Sequence, residues 1–385
     1  MKATLRILKK VGLTLTAVIG ALVLSLLILI GIWYVRPNRS VIDPSLKMET
    51  WDAVADGTHN SNTDMIYWKG AFFMVHATSP FHFASSQSRL KVQRSFDARN
   101  WETVATSDAS GEDIRDPKFA AIKDQLFLYA LKNTDFTAEP HDTVAAFSQD
   151  GLIWSPFQNM SADSRGWLFW RPKTLDGQTW YVPAYWSGHN RSALLTSTDG
   201  LNWQMTAQIY SGDRNDETDI EFLPDGRMIG TARLEFSDSY TGDPRGSTLI
   251  TLASPPYTEW KAQVKDPLTR LDGPNLFSYH GRIYAVGRFQ PVTSGPFAYP
   301  GSILATRRTS LFEVRPDRLV YLSDLPSAGD TSYSGLVARG DDLFICYYTS
   351  DVHHDFGWIL GMVSPSNIRM AHLSLVNLEA LANTK

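Results

Sequence analysis

A short motif recurs along this chain: a serine, an aspartate two residues later and a tryptophan six residues later. It occurs as SFDARNW from Ser95, SQDGLIW from Ser148 and STDGLNW from Ser197. Two degenerate copies follow, SPPYTEW from Ser254 and TRRTSLF from Thr306, so that the five segments begin 53, 49, 57 and 52 residues apart. A spacing of about fifty residues indicates an architecture in which each repeat is one supersecondary unit.

A second pattern recurs six times: a short apolar run, a two-residue turn and another apolar run. The turns are Lys69-Gly70, Lys123-Asp124, Asp176-Gly177, Asp225-Gly226, His280-Gly281 and Gly340-Asp341. Such residues supply the positive φ that a two-residue hairpin requires. Six hairpins, five of them followed by a second hairpin at a serine segment, predict an all-β fold of six four-stranded units. Radial stacking of these units is a six-bladed β-propeller, and we expect the stretch near Trp51 to add the outer strand of the last blade.

The N-terminal segment is strongly apolar. No charged residue occurs between Val11 and Val35, a run of 25 residues, whereas roughly 20 apolar residues cross a bilayer. Four cationic residues precede the run, namely Lys2, Arg6, Lys9 and Lys10, and two follow it closely. This excess predicts a cytoplasmic N-terminus and an exported C-terminal domain. A cleaved signal peptide is the alternative, but GIWYVRPNRS offers no small-residue cleavage site.

The expected organisation follows from these two features. We predict a cytoplasmic N-terminus over residues 1–10, a transmembrane anchor over 11–35, a linker over 36–50 and a propeller over 51–385. The chain is then a single-pass protein of the inner (cytoplasmic) membrane whose propeller is periplasmic or extracellular. A net charge of −4 without a basic tract beyond the anchor argues against nucleic acid. Cys346 is the only cysteine, so no disulfide is expected.

Charged residues cluster where the hairpins would reach one end of the propeller. In a blade, the residues that begin the first strand and end the second strand ring the central channel. Those positions hold Arg115, Asp116, Glu217, Asp272 and Tyr333 before or in first strands, Arg233 and Arg288 at the ends of second strands, and Asp135 and Asp142 in a loop. Three arginines suit bidentate capture of a carboxylate. A phenol becomes an effective nucleophile when a carboxylate, here Glu217, takes its proton.

The serine segments resemble the Asp-box, or BNR repeat, of the sialidase superfamily. Each is one residue shorter than the usual S-x-D-x-G-x-T-W, and the resemblance covers most of the chain after the anchor. The resemblance implies that each box lies in the turn between the third and fourth strands of a blade, away from the substrate. We therefore expect Asp150 and Asp199 to be structural, because a short side chain there satisfies local backbone N–H groups.

The resemblance also implies roles for the charged set. NDETDIEFLPDGRMIGTAR resembles the family segment with a glutamate and an arginine, here Glu217 and Arg233, and DTSYSGLV resembles the one with a tyrosine nucleophile, here Tyr333. Arg288 fits the third arginine, and IRDP resembles the arginine-isoleucine-proline motif and supplies Arg115. Asp142 corresponds to the acid/base aspartate, with Asp116 as its rival, and Asp272 joins the substrate-binding set. These roles imply a retaining glycoside hydrolase that acts on an acidic or polar glycan without a metal or cofactor.

Two alternatives stay open at the level of sequence. An aspartate replaces the isoleucine of the arginine motif, and that motif lies in the second unit, while the first unit offers Asp64, His76 and His82. DPKF and DGPNLF look like strand starts of arabinanase-type furanosidases, in which Asp116, Glu217 and Asp272 would carry the reaction and Tyr333 would stack on sugar. The third interpretation is a non-catalytic propeller that binds a glycan or a protein, because a fold does not fix a function.

Overall fold

The apolar runs and two-residue turns form six antiparallel sheets in a computed structural model, which describes residues 2–137, 139–295 and 297–385. Each sheet is one blade, and the first strands of successive blades lie side by side around a central channel. The inner strands are buried on both faces, whereas an outer strand such as Trp260–Asp266 is largely exposed. The predicted six-bladed β-propeller is therefore confirmed.

The strands follow one another in chain order around the ring. Blade 1 consists of β2 (His59–Trp68), β3 (Ala71–Ser79), β4 (Arg89–Ser95) and β5 (Glu102–Ser107), after β1 (Glu49–Val54). Blade 2 consists of β6 (Asp113–Ile122), β7 (Gln125–Asn133), β8 (Asp142–Ser148) and β9 (Gln158–Asn159). Blade 3 consists of β10 (Trp167–Phe169), β11 (Lys173–Thr174), β12 (Trp180–Trp186), β13 (Arg191–Ser197) and β14 (Gln204–Ser211). Its inner strand is split, since β10 and β11 both pair with β12.

The second half of the ring repeats this arrangement. Blade 4 consists of β15 (Asn215–Phe222), β16 (Met228–Leu234), β17 (Ser247–Ala253) and β18 (Trp260–Asp266). Blade 5 consists of β19 (Asp272–Tyr279), β20 (Arg282–Phe289), β21 (Arg308–Arg315) and β22 (Arg318–Asp324). Blade 6 consists of β23 (Thr331–Arg339), β24 (Asp342–Thr349) and β25 (Asn367–Ser374), with β1 as its outer strand. Because β1 pairs with β25, and Trp51 lies opposite Met370, the ring closes as expected.

The helices lie outside the ring of sheets. They are α1 (Lys2–Val35), α2 (Trp358–Gly361) in the loop between β24 and β25, and α3 (Leu375–Ala382), with short 3-10 turns at Pro44–Leu46 and Ala162–Ser164. Residues Arg6–Val35 of α1 are long and apolar enough to cross a membrane. Length and composition fit either a single membrane span or a signal sequence. The expected linker packs on blade 5, where Val41 O accepts Asp324 N at 2.9 Å, and Leu46 is fully buried.

We call the two ends of the propeller the turn face and the mouth. The turn face carries the turns between first and second strands and the Ser-x-Asp turns, which lie between the third and fourth strands of blades 1, 2 and 3. Four of the six predicted hairpin turns have two residues, whereas Asp176-Gly177 and Asp225-Gly226 lie in five-residue connections. In the third of these turns, Trp203 is fully buried and packs 5.3 Å from Phe169 and 6.0 Å from Tyr129 of blade 2. The mouth carries the loops between second and third strands and the chain entries into first strands.

One predicted turn copy is wrong. The segment from Thr306 to Phe312 does not form the turn of blade 5, because Phe312 lies within β21 and pairs with Ala285 and Tyr321. The turn itself falls between Arg315 and Arg318. The match of this segment to the motif rested on one aromatic residue six positions after Thr306. A buried aromatic residue within a third strand falls at the same position. The weak copy from Ser254 does lie in the turn between β17 and β18.

Candidate active site at the mouth

The inner strands of five blades are irregular near the mouth. Strand pairing shifts at one or two residues of β2, β6, β15, β19 and β23. Four of the bulged residues have positive φ, namely Asn62, Asp116, Gly273 and Tyr333. A bulge redirects a side chain out of the regular ladder. Here the bulged positions contact one another across blades, since Asn62 Nδ2 donates to Asp116 and Gly273 N donates to Glu217.

Tyr333 and Glu217 form the centre of this ring. The hydroxyl of Tyr333 donates a hydrogen bond to Oε1 of Glu217. Oε2 of the same carboxylate accepts Gly273 N at 2.6 Å and lies 3.0 Å from Nη1 of Arg233. A Cβ atom on Gly273 would lie 2.9 Å from the Tyr333 ring, so only glycine leaves room for this tyrosine. The phenol, its carboxylate partner and one guanidinium are thus in direct contact.

Burial changes the acidity of both partners. The pKa of Glu217 is raised to about 7, mainly by burial and also by the neighbouring Asp216 and Asp272, against the opposing charge of Arg233. Burial also raises the pKa of Tyr333 well above its usual value, and the negative charge of Glu217 adds to that shift. A carboxyl group that titrates near neutrality beside a neutral phenol can accept the proton of that phenol during a reaction.

Two of the three predicted arginines surround Tyr333. Arg233 makes a bidentate contact with Asp216, at 2.7 Å from Nε and 2.5 Å from Nη2. The guanidinium of Arg288 lies 5.0 Å from the Tyr333 ring and contacts Asp330 at 3.1 Å and the hydroxyl of Tyr348 at 2.7 Å. Both cations are therefore held in fixed orientations by carboxylates of the protein.

Asp272, Arg115 and Asp116 belong to the same mouth. Asp272 lies 3.8 Å from both Arg233 and Arg288. Arg115 pairs with Asp113, a residue of its own strand. Asp116 is buried at the bulge of β6. Burial is the main cause of the raised pKa of Tyr333, and the negative charge of Asp116 makes a smaller contribution to it. The structure therefore brings seven of the eight predicted site residues around one opening.

Asp142 lies apart from them. Its carboxylate accepts the N–H groups of Thr143 at 3.0 Å and Gly166 at 3.4 Å. It stands at the mouth end of β8, which is a third strand, and no ion pair or hydrogen bond joins it to another predicted site residue within the described part of the chain. The other loop aspartate, Asp135, binds the backbone and hydroxyl of Ser86.

Several residues of the mouth escaped the sequence analysis. They are Asp216, Glu235, Arg270, Arg307, Asp330, Tyr348 and Trp358, with His59 and His189. Asp330 accepts hydrogen bonds from Tyr348, Trp358 and the predicted Arg288, and it lies three residues before Tyr333. Arg270 lies two residues before Asp272 and pairs with it at 2.8 Å. Proximity in sequence was the usable signal for three of them, because Asp216, Arg270 and Asp330 lie one, two and three residues before a predicted residue.

His189 forms a separate charged cluster next to Arg233. Its Nε2 lies 2.6 Å from Glu139, and its Nδ1 lies 3.3 Å from Asp216 and 3.4 Å from Glu235. Burial opposes the charged form, but Asp216 and the other carboxylates outweigh it and raise the pKa of His189 to about 10. The ring is therefore an imidazolium at neutral pH, and it helps to fix Asp216 against Arg233.

The centre of the propeller below the mouth is filled by a buried arginine. Arg171 of blade 3 donates to Pro274 O of blade 5 at 2.8 Å and to Ser334 O of blade 6 at 2.6 Å. Its Nε also lies 3.4 Å from Asp64 of blade 1. One side chain thus ties four blades together directly beneath Gly273 and Tyr333 and gives the site a solid floor.

Comparison with known proteins adds a fold likeness. No protein-family model and no curated protein sequence matches the chain. Trypanosoma rangeli sialidase in complex with sialic acid aligns with a TM-score of 0.60 at 11% identity, over 90% of this chain and 61% of that one. Phage phi92 endosialidase aligns with a TM-score of 0.61 at 9% identity, over 86% of this chain and 69% of that one.

A third structure supports the same assignment. The Hadza microbial sialidase Hz136 aligns with a TM-score of 0.55 at 14% identity, over 85% of this chain and 68% of that one. At such identities the likeness shows the fold, and the protein is a sialidase-like six-bladed β-propeller. The chain spans 61% of the length of the Trypanosoma rangeli sialidase that it matches.

Proposed function

We propose that the protein is a retaining glycoside hydrolase of the sialidase-like kind, which acts on an acidic or polar glycan at the mouth. The contact between Tyr333 and Glu217 carries this proposal, because a buried phenol hydrogen-bonded to a carboxylate is the arrangement that activates a tyrosine nucleophile. The solved structures that share the fold include two named sialidases and an endosialidase, one of them in complex with sialic acid.

The reaction proceeds in two steps on these residues. Tyr333 Oη attacks the anomeric carbon while Glu217 takes the phenolic proton, and the bond to the leaving oxygen breaks as an acid protonates that oxygen. Water then attacks the glycosyl-tyrosine, gives its proton to the same acid/base residue, and the tyrosine recovers its proton from Glu217. A neutral phenol avoids repulsion between a charged nucleophile and a substrate that carries its own carboxylate.

Asp116 is the better candidate for the acid. It is buried in the ring of bulged residues, and its charge is felt at Tyr333, whereas Asp142 is bonded to the backbone at the end of a third strand. We therefore assign protonation of the leaving oxygen to Asp116 and keep Asp142 as the variant that tests this choice.

Substrate recognition falls to the arginines and Asp272. Nη1 of Arg288 lies 3.8 Å from Asp272 and makes no hydrogen bond within the described residues, so it can bind a substrate oxygen. Arg115 and Arg233 stand on either side of the same opening. Because Arg233 and Arg288 are already paired with aspartates, the mouth suits a strongly polar sugar as well as an anionic one.

The furanosidase alternative has weaker support. In that mechanism Asp272 would act as one of three carboxylates, but Asp272 is held by Arg270 at 2.8 Å and 3.2 Å. Although burial opposes ionisation, Arg270 and Arg233 lower the pKa of Asp272 to about 2, so it stays charged and cannot donate a proton. The hydroxyl of Tyr333 donates a hydrogen bond to Glu217, whereas stacking on a sugar would use only the face of the ring.

We also propose that α1 anchors the protein in an inner membrane with the propeller outside the cytoplasm. The excess of cationic residues before the apolar run supports this orientation. Protease added to spheroplasts should digest the propeller and leave a short N-terminal fragment. Full protection of the propeller would contradict the proposed orientation.

The decisive experiment compares the parent with Glu217→Gln on a panel of acidic and neutral aryl glycosides. Hydrolysis should fall about 10² to 10⁴-fold, the usual share of a general base, while glycan binding on an array is retained. Incubation with 2,3-difluorosialic acid and with neutral fluoroglycosides should add one sugar mass to the peptide that contains Tyr333. A parent protein that binds glycans but hydrolyses none of the panel would identify a binding module instead.

A further inference from the structure

Two histidines and one aspartate meet at the rim of the mouth, between blades 1 and 6. His59 begins β2, His82 lies in the loop between β3 and β4, and Asp330 directly precedes β23. Two imidazole nitrogens and one carboxylate oxygen from this group all lie within 4.8 Å of one another. The proposed glycosidase reaction uses neither histidine, so the inference drawn from this cluster is independent of that reaction.

His59 presents an unpaired lone pair inside this cluster. The side chain is 1% exposed, and its Nδ1 lies 2.8 Å from the carbonyl oxygen of Ser364. A carbonyl oxygen only accepts, so Nδ1 carries the proton and Nε2 of the neutral ring has a lone pair. Within the described chain Nε2 has no hydrogen-bond partner, and it faces Asp330 Oδ2 at 3.4 Å. Such a contact is repulsive unless a cation or a second proton lies between the two atoms.

Asp330 is oriented so that one oxygen points at the histidines. Its Oδ1 accepts Trp358 Nε1 at 2.7 Å, Tyr348 Oη at 3.0 Å and Arg288 Nη2 at 3.1 Å. Its Oδ2 is hydrogen-bonded to His82 Nδ1 at 2.6 Å and lies 3.4 Å from His59 Nε2. Three donors on Oδ1 fix the carboxylate and direct Oδ2 at the two histidine rings.

The geometry points to a binding site for a divalent transition-metal ion, with His59 Nε2, His82 Nδ1 and Asp330 Oδ2 as its ligands. Two imidazoles and a carboxylate are ligands that zinc and iron(II) prefer. The bond from His59 Nδ1 to Ser364 O is the outer contact that orients a ligating imidazole. Three protein ligands leave a position for water or for a substrate oxygen.

The distances suit this assignment with one small movement. Tetrahedral metal–ligand bonds of about 2.0 to 2.1 Å place the ligand atoms roughly 3.4 Å apart. His59 Nε2 and Asp330 Oδ2 already lie 3.4 Å apart. The His82 contact of 2.6 Å must lengthen when an ion enters. His82 can move, because it lies in a loop and its side chain is 22% exposed. A cavity of about 520 Å³ is lined by His59 but not by His82 or Asp330, so the partly exposed side chain of His82 is the route by which an ion would enter.

The His189 cluster shows the contrast. There both ring nitrogens face carboxylates, at 2.6 Å from Glu139 and 3.3 Å from Asp216. Three carboxylates face the His189 ring, which is an imidazolium at neutral pH and neutralises part of their charge. At His59 a carbonyl oxygen accepts from Nδ1, and only one carboxylate faces the other nitrogen. Within the described residues His189 Nδ1, like His59 Nε2, has no hydrogen-bond partner, so the two clusters differ in the number of carboxylates around the ring.

The test is metal binding by the full-length protein in detergent after treatment with a chelator. Calorimetric titration with Zn²⁺ should show one equivalent, and Co²⁺ should give a visible absorption band that reports the coordination. His59→Gln and His82→Gln should each weaken binding by more than about 100-fold, the upper range for loss of an outer-shell partner. His372→Gln is the matched control, because His372 contacts a single carboxylate, Asp342, at 2.8 Å and should leave binding unchanged.

If the parent binds Zn²⁺ no more tightly than the two variants do, the metal site is refuted. His82→Gln decides the matter if His59→Gln unfolds, because His82 lies in a partly exposed loop. Circular dichroism of each variant establishes that it is folded before the affinities are compared.

Discussion

The turn face and the mouth hold their carboxylates in opposite ways. At the turn face, Asp150 accepts the backbone N–H groups of Leu152 at 2.8 Å and Ile153 at 2.9 Å. These local donors, that of Ile153 first, lower the pKa of Asp150 below its usual value. Asp97 and Asp199 make the equivalent bonds in their own turns. Each carboxylate is satisfied within five residues and has no proton to exchange at neutral pH.

At the mouth, Glu217 finds its partners in other blades. Tyr333 comes from blade 6 and Gly273 from blade 5, and only Arg233 belongs to the same blade. Burial raises the pKa of Glu217 to about 7. The contrast teaches that Asp150, whose donors are local, stays ionised and structural, whereas Glu217, whose partners come mainly from other blades, has a pKa near neutrality and is available for chemistry.

The largest effect is expected at the mouth, from Tyr333→Phe. Loss of the nucleophile should lower kcat/KM by about 10⁴-fold or more, as removal of a catalytic nucleophile does elsewhere. Tyr257→Phe is the matched change at the turn face, where the hydroxyl donates to Gly226 O at 2.7 Å. The control should keep full activity. Equal activity of Tyr333→Phe and the parent would remove the assigned nucleophile.

The next effect is expected at the turn face, from Trp203→Ala. Trp203 is fully buried between blades 2 and 3, and truncation of such a side chain costs about 3 to 5 kcal/mol in the free energy of unfolding. Ile153→Ala in the neighbouring turn removes a side chain that is 78% exposed and should cost less than about 0.5 kcal/mol. Urea unfolding of both variants measures the difference. A loss at Trp203 as small as that at Ile153 would show that the turns do not join the blades.

A third effect is expected in the pH dependence of kcat/KM. Glu217 must be ionised to take the proton of Tyr333, so activity falls as the pH drops through the raised pKa of about 7. Below that value we expect about a tenfold decrease for each pH unit. The carboxyl of Asp150 stays ionised over the same range, and Asp150→Ala should leave the profile unmoved. An acid limb near 4.5, the ordinary value for glutamate, would contradict the assigned role of Glu217.

The smallest effect is expected from Asp150→Ala on stability. The variant loses two backbone hydrogen bonds of an exposed turn, which is comparable to loss of a helix cap and costs about 0.5 to 2 kcal/mol in the free energy of unfolding. Asp238→Ala, at an exposed position, should cost less than about 0.5 kcal/mol. Both are measured by urea unfolding, and kcat/KM should be unchanged in both. A loss of activity in Asp150→Ala would break the division between the two ends.

The sequence by itself determined the architecture. The Ser-x-Asp turns and the two-residue hairpin turns are each encoded within a few consecutive residues, so their number and spacing predicted six blades and the closure of the ring through Trp51. Blade order also sufficed to place Arg233, Arg288 and Asp272 around one opening. The degenerate copy from Thr306 failed because a single aromatic does not distinguish a turn from the interior of a strand.

Only the tertiary structure decided which side chains of the mouth contact one another. The sequence predicted that Glu217 pairs with Tyr333, 116 residues away, but nothing in it states that Gly273 N and Arg233 contact the other oxygen of that carboxylate. The same holds for the pairing of Arg288 with Asp330 and for the meeting of His59 with both His82 and Asp330. The physical reason is that burial and charge pairing depend on which side chains other blades supply, and the ring brings those together only when it closes.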